Sequence, residues 1–382
     1  MHIAWLGKKS PFCGNVTYGR EVTNALLERE HKVSFLHFAQ EESSEQNKSD
    51  CPEVVLPFLY KSQVYTIPTP RSSKVLTESL KELKPDVVHA SLTLSPLDFR
   101  LPEICEELNL PLVATFHTPF DNKFRNLKSS TQYFSYQVYA PFLAHYDKIV
   151  IFSRVQLELL VKLGVSRRKV AVIPNGVNHK KYSPGASPFR ERFQAKRLFV
   201  YMGRIATEKN VEALLKAWKH SDMSEDSKLL IVGDGPLVPS LRPFYNDEYG
   251  IYWLGEIVDE QKRIDILRAA DVFILPSLVE GLSLSLLEAM SCGVACIATD
   301  AGADKEVLKG AGAIFDTQGV TTQLKALLPL FQDHPEITQE LGKKARKRIE
   351  ERYTLEQNII SLEEIYAELL QQKQQFQFSR LS

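Results

Sequence analysis

Apolar positions along the chain gather into short continuous runs, and amphipathic segments with helical spacing lie between them. In the first half the runs fall at 2–6, 33–36, 86–89, 112–116, 149–152 and 170–173. Continuous rather than alternating apolar runs mark strands covered on both faces. Candidate helices lie at 98–108 and 154–163. Strand and helix in turn predict an α/β fold with a parallel, doubly wound sheet. The stretch 182–188, with two prolines and a glycine, interrupts the pattern and reads as a linker. The alternation then resumes with runs at 198–201, 229–232, 251–254, 272–275 and 295–298, followed by helical patterns at 335–353 and 355–372. The polar tail 371–382 reads as frayed. The expected organisation is therefore one domain over 1–183, a second over 190–353 and a terminal helical segment over 354–382. Such sheets bind ligands beyond the carboxyl ends of their strands, so both halves are expected to face a cleft.

Length supports two cores, since 382 residues exceed an ordinary single domain. The 47 basic residues balance 47 acidic ones, so no global positive field favours nucleic acid. Five cysteines without metal-ligand spacing read as reduced, buried thiols. No apolar run reaches the roughly 18 residues of a membrane span. The first strand precedes Lys8 and Lys9, the reverse of a secretory signal, so a cytosolic or membrane-surface protein is expected.

The candidate chemistry sits where strands end. Glu280-Gly281-Leu282-Ser283-Leu284-Ser285-Leu286-Leu287-Glu288 follows the run 272–275. Gly281 permits a tight turn, and Ser283 or Ser285 can cap the next helix, whose first amides and dipole suit an anion. Glu280 can accept hydrogen bonds from sugar hydroxyls. Glu288, on an apolar helix, needs a partner such as a ribose diol or a salt bridge. Gly203-Arg204-Ile205-Ala206-Thr207-Glu208-Lys209-Asn210 follows the run 198–201. Its Arg204 and Lys209 are suited to a diphosphate leaving group, although a basic surface loop has the same composition.

Gly233-Asp234-Gly235-Pro236 is a third strand-to-turn junction, with glycines suited to close backbone approach. Ser10-Pro11-Phe12-Cys13-Gly14-Asn15 lies after the first strand but lacks the G-x-G-x-x-G fingerprint, and no acid ends the second strand. Those two absences disfavour a dehydrogenase. His117 ends the run 112–116 and is a candidate site residue, although a lone histidine is often structural. No Asp-x-Asp occurs, so the carboxylate pair that holds a divalent ion on a nucleotide-sugar is missing and no metal or other cofactor is expected.

Taken in order, Gly203-Arg204, Glu208-Lys209-Asn210, Gly233-Asp234-Gly235-Pro236-Leu237, Leu254-Gly255, Asp271-Val272 through Pro276-Ser277, and Glu280-x7-Glu288-Ala289-Met290 resemble glycosyltransferase family four. That resemblance implies the GT-B fold, two Rossmann-like domains facing a cleft, and a metal-independent hexosyltransferase that retains anomeric configuration. It implies that Arg204 and Lys209 bind the donor diphosphate, that Glu280 contacts the transferred sugar near the amides of Gly281, Leu282 and Ser283, and that Glu288 holds the ribose. Gly233 belongs to the donor site, Gly14 matches the family's first glycine-rich loop, and His117 matches a histidine near the reacting sugar. The final helices are implied to cross back to the first domain. Asn15 departs from the family pattern, where a second glycine is common; Glu30 and Asn178 also depart.

The stretch from Trp5-Leu6-Gly7-Lys8-Lys9 through Tyr18-Gly19-Arg20 is similar to cyanobacterial glycolipid galactosyltransferases of the digalactosyldiacylglycerol synthase type. The resemblance implies UDP-galactose as donor and a galactolipid acceptor on the cytoplasmic side of a thylakoid or plasma membrane. Over 121–181 basic residues, Lys123, Arg125 and Lys128 among them, outnumber acidic ones, and eight aromatics are interleaved in its first part. Cations beside aromatics suit an anionic bilayer surface, while aromatics in the core beside solvated lysines would give the same composition. A soluble acceptor, or a nucleotide-sugar-binding or epimerase-like protein without transfer, remain the alternatives.

Overall fold

The computed structural model describes residues 1–9, 14–38, 51–62, 65–119 and 127–381. It divides into two compact units, one of residues 1–118, 122–175 and 355–382, the other of 119–121 and 176–354.

The first unit runs β1 (His2–Gly7), α1 (Gly14–Glu28), β2 (Lys32–His37), β3 (Glu53–Val55), β4 (Phe58–Lys61), β5 (Thr66–Pro68), α2 (Ser72–Leu83), β6 (Val87–Ser91), α3 (Leu101–Glu107), β7 (Leu112–Thr115), α4 (Leu127–Leu143), β8 (Lys148–Ile151), α5 (Arg154–Lys162) and β9 (Val170–Val172). Its sheet has the order β3-β2-β1-β6-β7-β8-β9, and every neighbour pair is parallel. The order reverses between β1 and β6, which sets the switch point of this sheet. The apolar runs are these strands: β1, β6 and β7 are buried at every position. Helix α5 begins with a reciprocal Ser153–Gln156 capping box, and the chain turns at Gly164 with φ +96°.

The second unit contains α6 (Phe189–Arg192), β10 (Arg197–Met202), α7 (Val211–Lys219), β11 (Ser227–Val232), α8 (Val238–Leu241), β12 (Ile251–Gly255), α9 (Glu260–Ala269), β13 (Val272–Leu275), α10 (Leu284–Ser291), β14 (Ala295–Thr299), α11 (Asp304–Leu308), β15 (Ala313–Phe315), α12 (Val320–Asp333) and α13 (Pro335–Arg352). Its parallel sheet has the order β12-β11-β10-β13-β14-β15, with the switch point between β10 and β13.

The proline-rich stretch at 182–188 is docked onto the second unit. Tyr182 Oη donates to Glu260 at 3.2 Å, Arg268 Nε to the Ser183 carbonyl at 2.8 Å, and Ser187 Oγ to the Asp265 carbonyl at 2.5 Å. The division between the units falls at 175/176, ahead of that stretch. The last helix, α14 (Leu355–Leu381), belongs to the first unit, where Glu363 pairs with Arg29 and His31 at 2.8 Å. Its length corrects the expectation of a frayed tail. The segment after Gln371 is rich in glutamine, a good helix former, and has no glycine or proline to stop the helix.

Candidate active site

In the second unit the candidate residues leave the two strands that flank the switch point. Gly203 to Lys209 follow β10, and Pro276 to Glu280 follow β13. The strand-end loops are stitched together through backbone. Gly203 N–H donates to the Val232 carbonyl at 2.9 Å, Ile205 N–H to Asp234 at 2.9 Å, and Gly233 N–H to Gly255 at 2.8 Å. Glycine is required here. Gly233 has φ +132°, and a Cβ on it would lie 2.0 Å from the Gly203 carbonyl oxygen; one on Gly235 would lie 2.4 Å from that of Ile205.

Arg204 and Lys209 are each ion-paired with a glutamate. Arg204 is ion-paired with Glu208, and its carbonyl accepts from Tyr201 Oη at 2.8 Å. Lys209 Nζ donates to Glu280 Oε1 at 2.5 Å, and the same oxygen accepts from Ser277 Oγ at 2.7 Å. Glu280 is 8% exposed, so its charge rests on that lysine. Leu278 N–H donates to the Glu208 carbonyl at 2.8 Å and ties the two loops together.

Behind Glu280 lies Asp304, which the sequence reading passes over. It is buried, and Oδ1 accepts from Ser283 N–H at 2.9 Å. Burial first, and then the Glu280 carboxylate, push its acid well above the usual range. Ser283 N–H is thereby occupied, which corrects the expectation that it is open to the donor; the Ser283 hydroxyl caps α10 at Leu286 N. Leu282 is buried, and the Gly281 carbonyl accepts from Ala303 N–H at 2.8 Å. Glu288 is half-buried on α10. Burial, and then its charge, push the Cys292 thiol up to about 12. Gly302, with φ +55°, packs where a Cβ would lie 2.1 Å from the Glu280 carbonyl oxygen. The signal for Gly302 and Asp304 was positional: Thr299-Asp300-Ala301-Gly302-Ala303-Asp304 leaves a strand end, as the recognised motifs do.

In the first unit, His117 follows β7 and is half-buried. Its Nε2 lies 2.8 Å from Ser91 Oγ, whose hydroxyl donates to Asn15 Oδ1 at 2.7 Å. Tyr18 packs edge-on against the imidazole at 5.0 Å between centroids. Beneath them His89 bridges Tyr366 Oη at 2.5 Å and Thr115 Oγ1 at 2.7 Å. Gly14 opens α1 exposed, and a Cβ there would meet nothing within 4 Å among the described residues.

Burial, and then Lys8, push His117 down to about 3; burial and then His117 do the same to His89. A depressed imidazole leaves the folded state with fewer bound protons than the unfolded state below about pH 6.5. Stability contributed by the neutral ring is therefore lost as pH falls from about 6.5 towards 3. Urea midpoints from pH 7 to pH 4 are expected to fall less steeply for His117→Gln than for the wild type. Parallel slopes would mean that His117 is protonated in the fold.

Of the membrane candidates, Lys123 and Arg125 lie outside the described residues, and Lys128 falls in α4. The described aromatics do not form one face. Tyr136, Tyr139 and Tyr146 are buried and donate to the Thr118 carbonyl, Asp98 Oδ2 and the Asp98 carbonyl. Phe134, Val138 and Phe142, four residues apart on α4, are exposed at 63%, 37% and 39%. No helix among the described residues is long and apolar enough to cross a membrane.

Comparison with known proteins bears on the family and the fold. Residues 14–181 match the family model "Glycosyltransferase Family 4" and residues 196–333 match "Glycosyl transferases group 1". The chain is 26% identical, over 78% of its length and 79% of the relative's, to an Escherichia coli UDP-Gal:alpha-D-GlcNAc-diphosphoundecaprenol alpha-1,3-galactosyltransferase. Sucrose-phosphate synthase from Thermosynechococcus elongatus superposes with a TM-score of 0.78 at 20% identity, covering 96% of this chain and 98% of that one. Anabaena HepE in complex with UDP gives 0.76 at 15%, covering 96% and 100%. At those identities the two structures speak to fold, and the fold is GT-B. With two parallel-sheet units and the two models in tandem over most of its length, the chain belongs to the family-four glycosyltransferases.

Proposed function

We propose that this glycosyltransferase takes a hexose from a nucleotide-sugar, galactose from UDP-galactose, and transfers it with retention to a membrane glycolipid such as monogalactosyldiacylglycerol. The observation that carries the donor side is the Lys209–Glu280 pair at the β10/β13 switch point. An arriving diphosphate draws Lys209 and Arg204 from their glutamates, because two phosphates offer more negative charge than one carboxylate. Glu280, still held by Ser277, then accepts hydrogen bonds from the sugar hydroxyls. Gly233 allows the backbone close to the nucleotide, the amides of Gly281 and Leu282 face the donor, and Glu288 takes the ribose diol. On the first unit, Gly14 and His117 serve the reacting sugar. The bond from the anomeric carbon to the diphosphate breaks as the acceptor oxygen bonds that carbon on the same face. The acceptor's proton passes to the departing phosphate oxygen.

Labelled nucleotide-sugars offered with a lipid extract test this directly. Galactosyl transfer from UDP-galactose to a glycolipid, with the α configuration of the donor kept, is the expected product. Inversion, or efficient transfer to a water-soluble sugar instead, would overturn the corresponding part.

The cations Arg204 and Lys209 stand where a divalent ion would otherwise stabilise the leaving diphosphate. Turnover is therefore expected to persist in excess EDTA. Loss that Mg²⁺ or Mn²⁺ restores would contradict the metal-free reading.

Support for a lipid acceptor comes from the basic excess over 121–181, the exposed Phe134–Val138–Phe142 stripe and the diphosphoundecaprenol in the name of the Escherichia coli relative. The protein is expected to co-sediment with anionic vesicles at low salt and to release as salt rises, with about 1 kcal/mol per engaged cation. Changing Lys123, Arg125 and Lys128 to Glu should weaken both binding and transfer to lipid while donor hydrolysis in solution stays unchanged. Indifference to vesicles at every salt concentration would remove the lipid acceptor.

A further inference from the structure

The hydrogen bonds around His117 determine which of its ring nitrogens carries the proton. The Leu92 backbone is the starting point. Its N–H is spent on the Thr115 carbonyl in the sheet at 3.0 Å, and its C=O accepts from Asn15 Nδ2 at 3.2 Å. A carbonyl oxygen only accepts, so the Asn15 amide is oriented with Nδ2 towards Leu92 and Oδ1 towards Ser91. At 2.7 Å from Asn15 Oδ1, the Ser91 hydroxyl must donate its one proton there. Ser91 Oγ, 1% exposed by residue, then has only lone pairs for His117 Nε2 at 2.8 Å. That nitrogen must be N–H.

We propose that Asn15 is a positioning residue: by taking the Ser91 proton it fixes His117 as the Nε2–H tautomer and leaves Nδ1 an acceptor for a substrate hydroxyl. Among the described residues no group is hydrogen-bonded to Nδ1. A neutral ring so oriented accepts from a sugar hydroxyl and repels a phosphate oxygen. This use of Nδ1 rests on the proposed transfer reading; the tautomer itself does not.

Ring-nitrogen NMR of the full chain labelled with ¹⁵N-histidine tests it, with His117→Gln identifying the His117 signals. The wild type is expected to show a protonated Nε2 and a bare Nδ1. In Asn15→Ala the Ser91 hydroxyl is free to turn and donate to the ring, so the signals should move towards the Nδ1–H form; Ser91→Ala should also release the tautomer. Transfer by Asn15→Ala should fall about tenfold in kcat/KM, the scale of one misdirected hydrogen bond. A wild-type Nδ1–H ring, or a tautomer unmoved in both variants, would overturn the assignment and leave the transfer reading intact. A bare Nδ1 in the wild type with full activity in His117→Ala would instead remove the substrate contact and keep the tautomer.

Discussion

Replacing Lys209 by alanine is expected to lower turnover by about 100- to 1000-fold, the usual cost of removing one preorganised charge from a developing anion. The same change should also weaken the fold, because Glu280 is 8% exposed and Lys209 is its ion-pair partner at 2.5 Å. A buried carboxylate stripped of its partner costs about 3 kcal/mol. Arg204→Ala separates the two effects. Its partner Glu208 is 28% exposed on its side chain and keeps access to water, so turnover should fall while the unfolding midpoint holds. The double change Lys209→Met with Glu280→Gln removes both charges, and it should recover most of the lost stability and none of the activity. Donor-saturated kinetics beside urea unfolding of the three variants reads both quantities. Near-wild-type turnover in Lys209→Ala would remove the diphosphate role given to this residue.

The Lys209–Glu280 pair also shows where sequence reading reaches its limit. Both residues were legible because each follows a continuous apolar run, and such runs end at the ligand edge of a parallel sheet. Their mutual pairing was not legible, since spacing along the chain carries no distance between two loops 71 positions apart. Asp304 was missed for a related reason. Between Thr299 and Asp304 the chain reads as a polar turn, and only the fold buries that carboxyl against Glu280.

The aromatic segment failed differently. Helical spacing alone separates Phe134, Val138 and Phe142 from Tyr136 and Tyr139, so the two faces of α4 were available in the sequence but were pooled as composition. The short strands β3 to β5 were passed over although 54–60 is an apolar run, broken only by Pro57 between β3 and β4. Val55, Leu59, Tyr60 and Ile67 there are exposed, so in this stretch an apolar run does not mark a strand covered on both faces.

Gly302→Ala is expected to damage stability and activity together, although residue 302 carries no functional group. Two costs add at this position. The first is the backbone: φ +55° lies in the left-handed region, where a Cβ costs about 1–2 kcal/mol. The second is space. The new Cβ would sit 2.1 Å from the Glu280 carbonyl oxygen and 2.7 Å from that of Gly281, so the loop that carries Glu280 must move away. That movement strains the hydrogen bond from Ala303 N–H to the Gly281 carbonyl at 2.8 Å and shifts the carboxylate that Lys209 and Ser277 hold. A displacement near 1 Å at a reacting centre costs about 100-fold in rate. Gly310→Ala supplies the control, because Gly310 has φ +77° but nothing within 4 Å of a Cβ. It should lose about 1 kcal/mol of stability and keep its turnover. If Gly302→Ala behaves like Gly310→Ala in both measurements, the loop at 280–281 is not held against β14's end, and the placement of Glu280 does not depend on that contact.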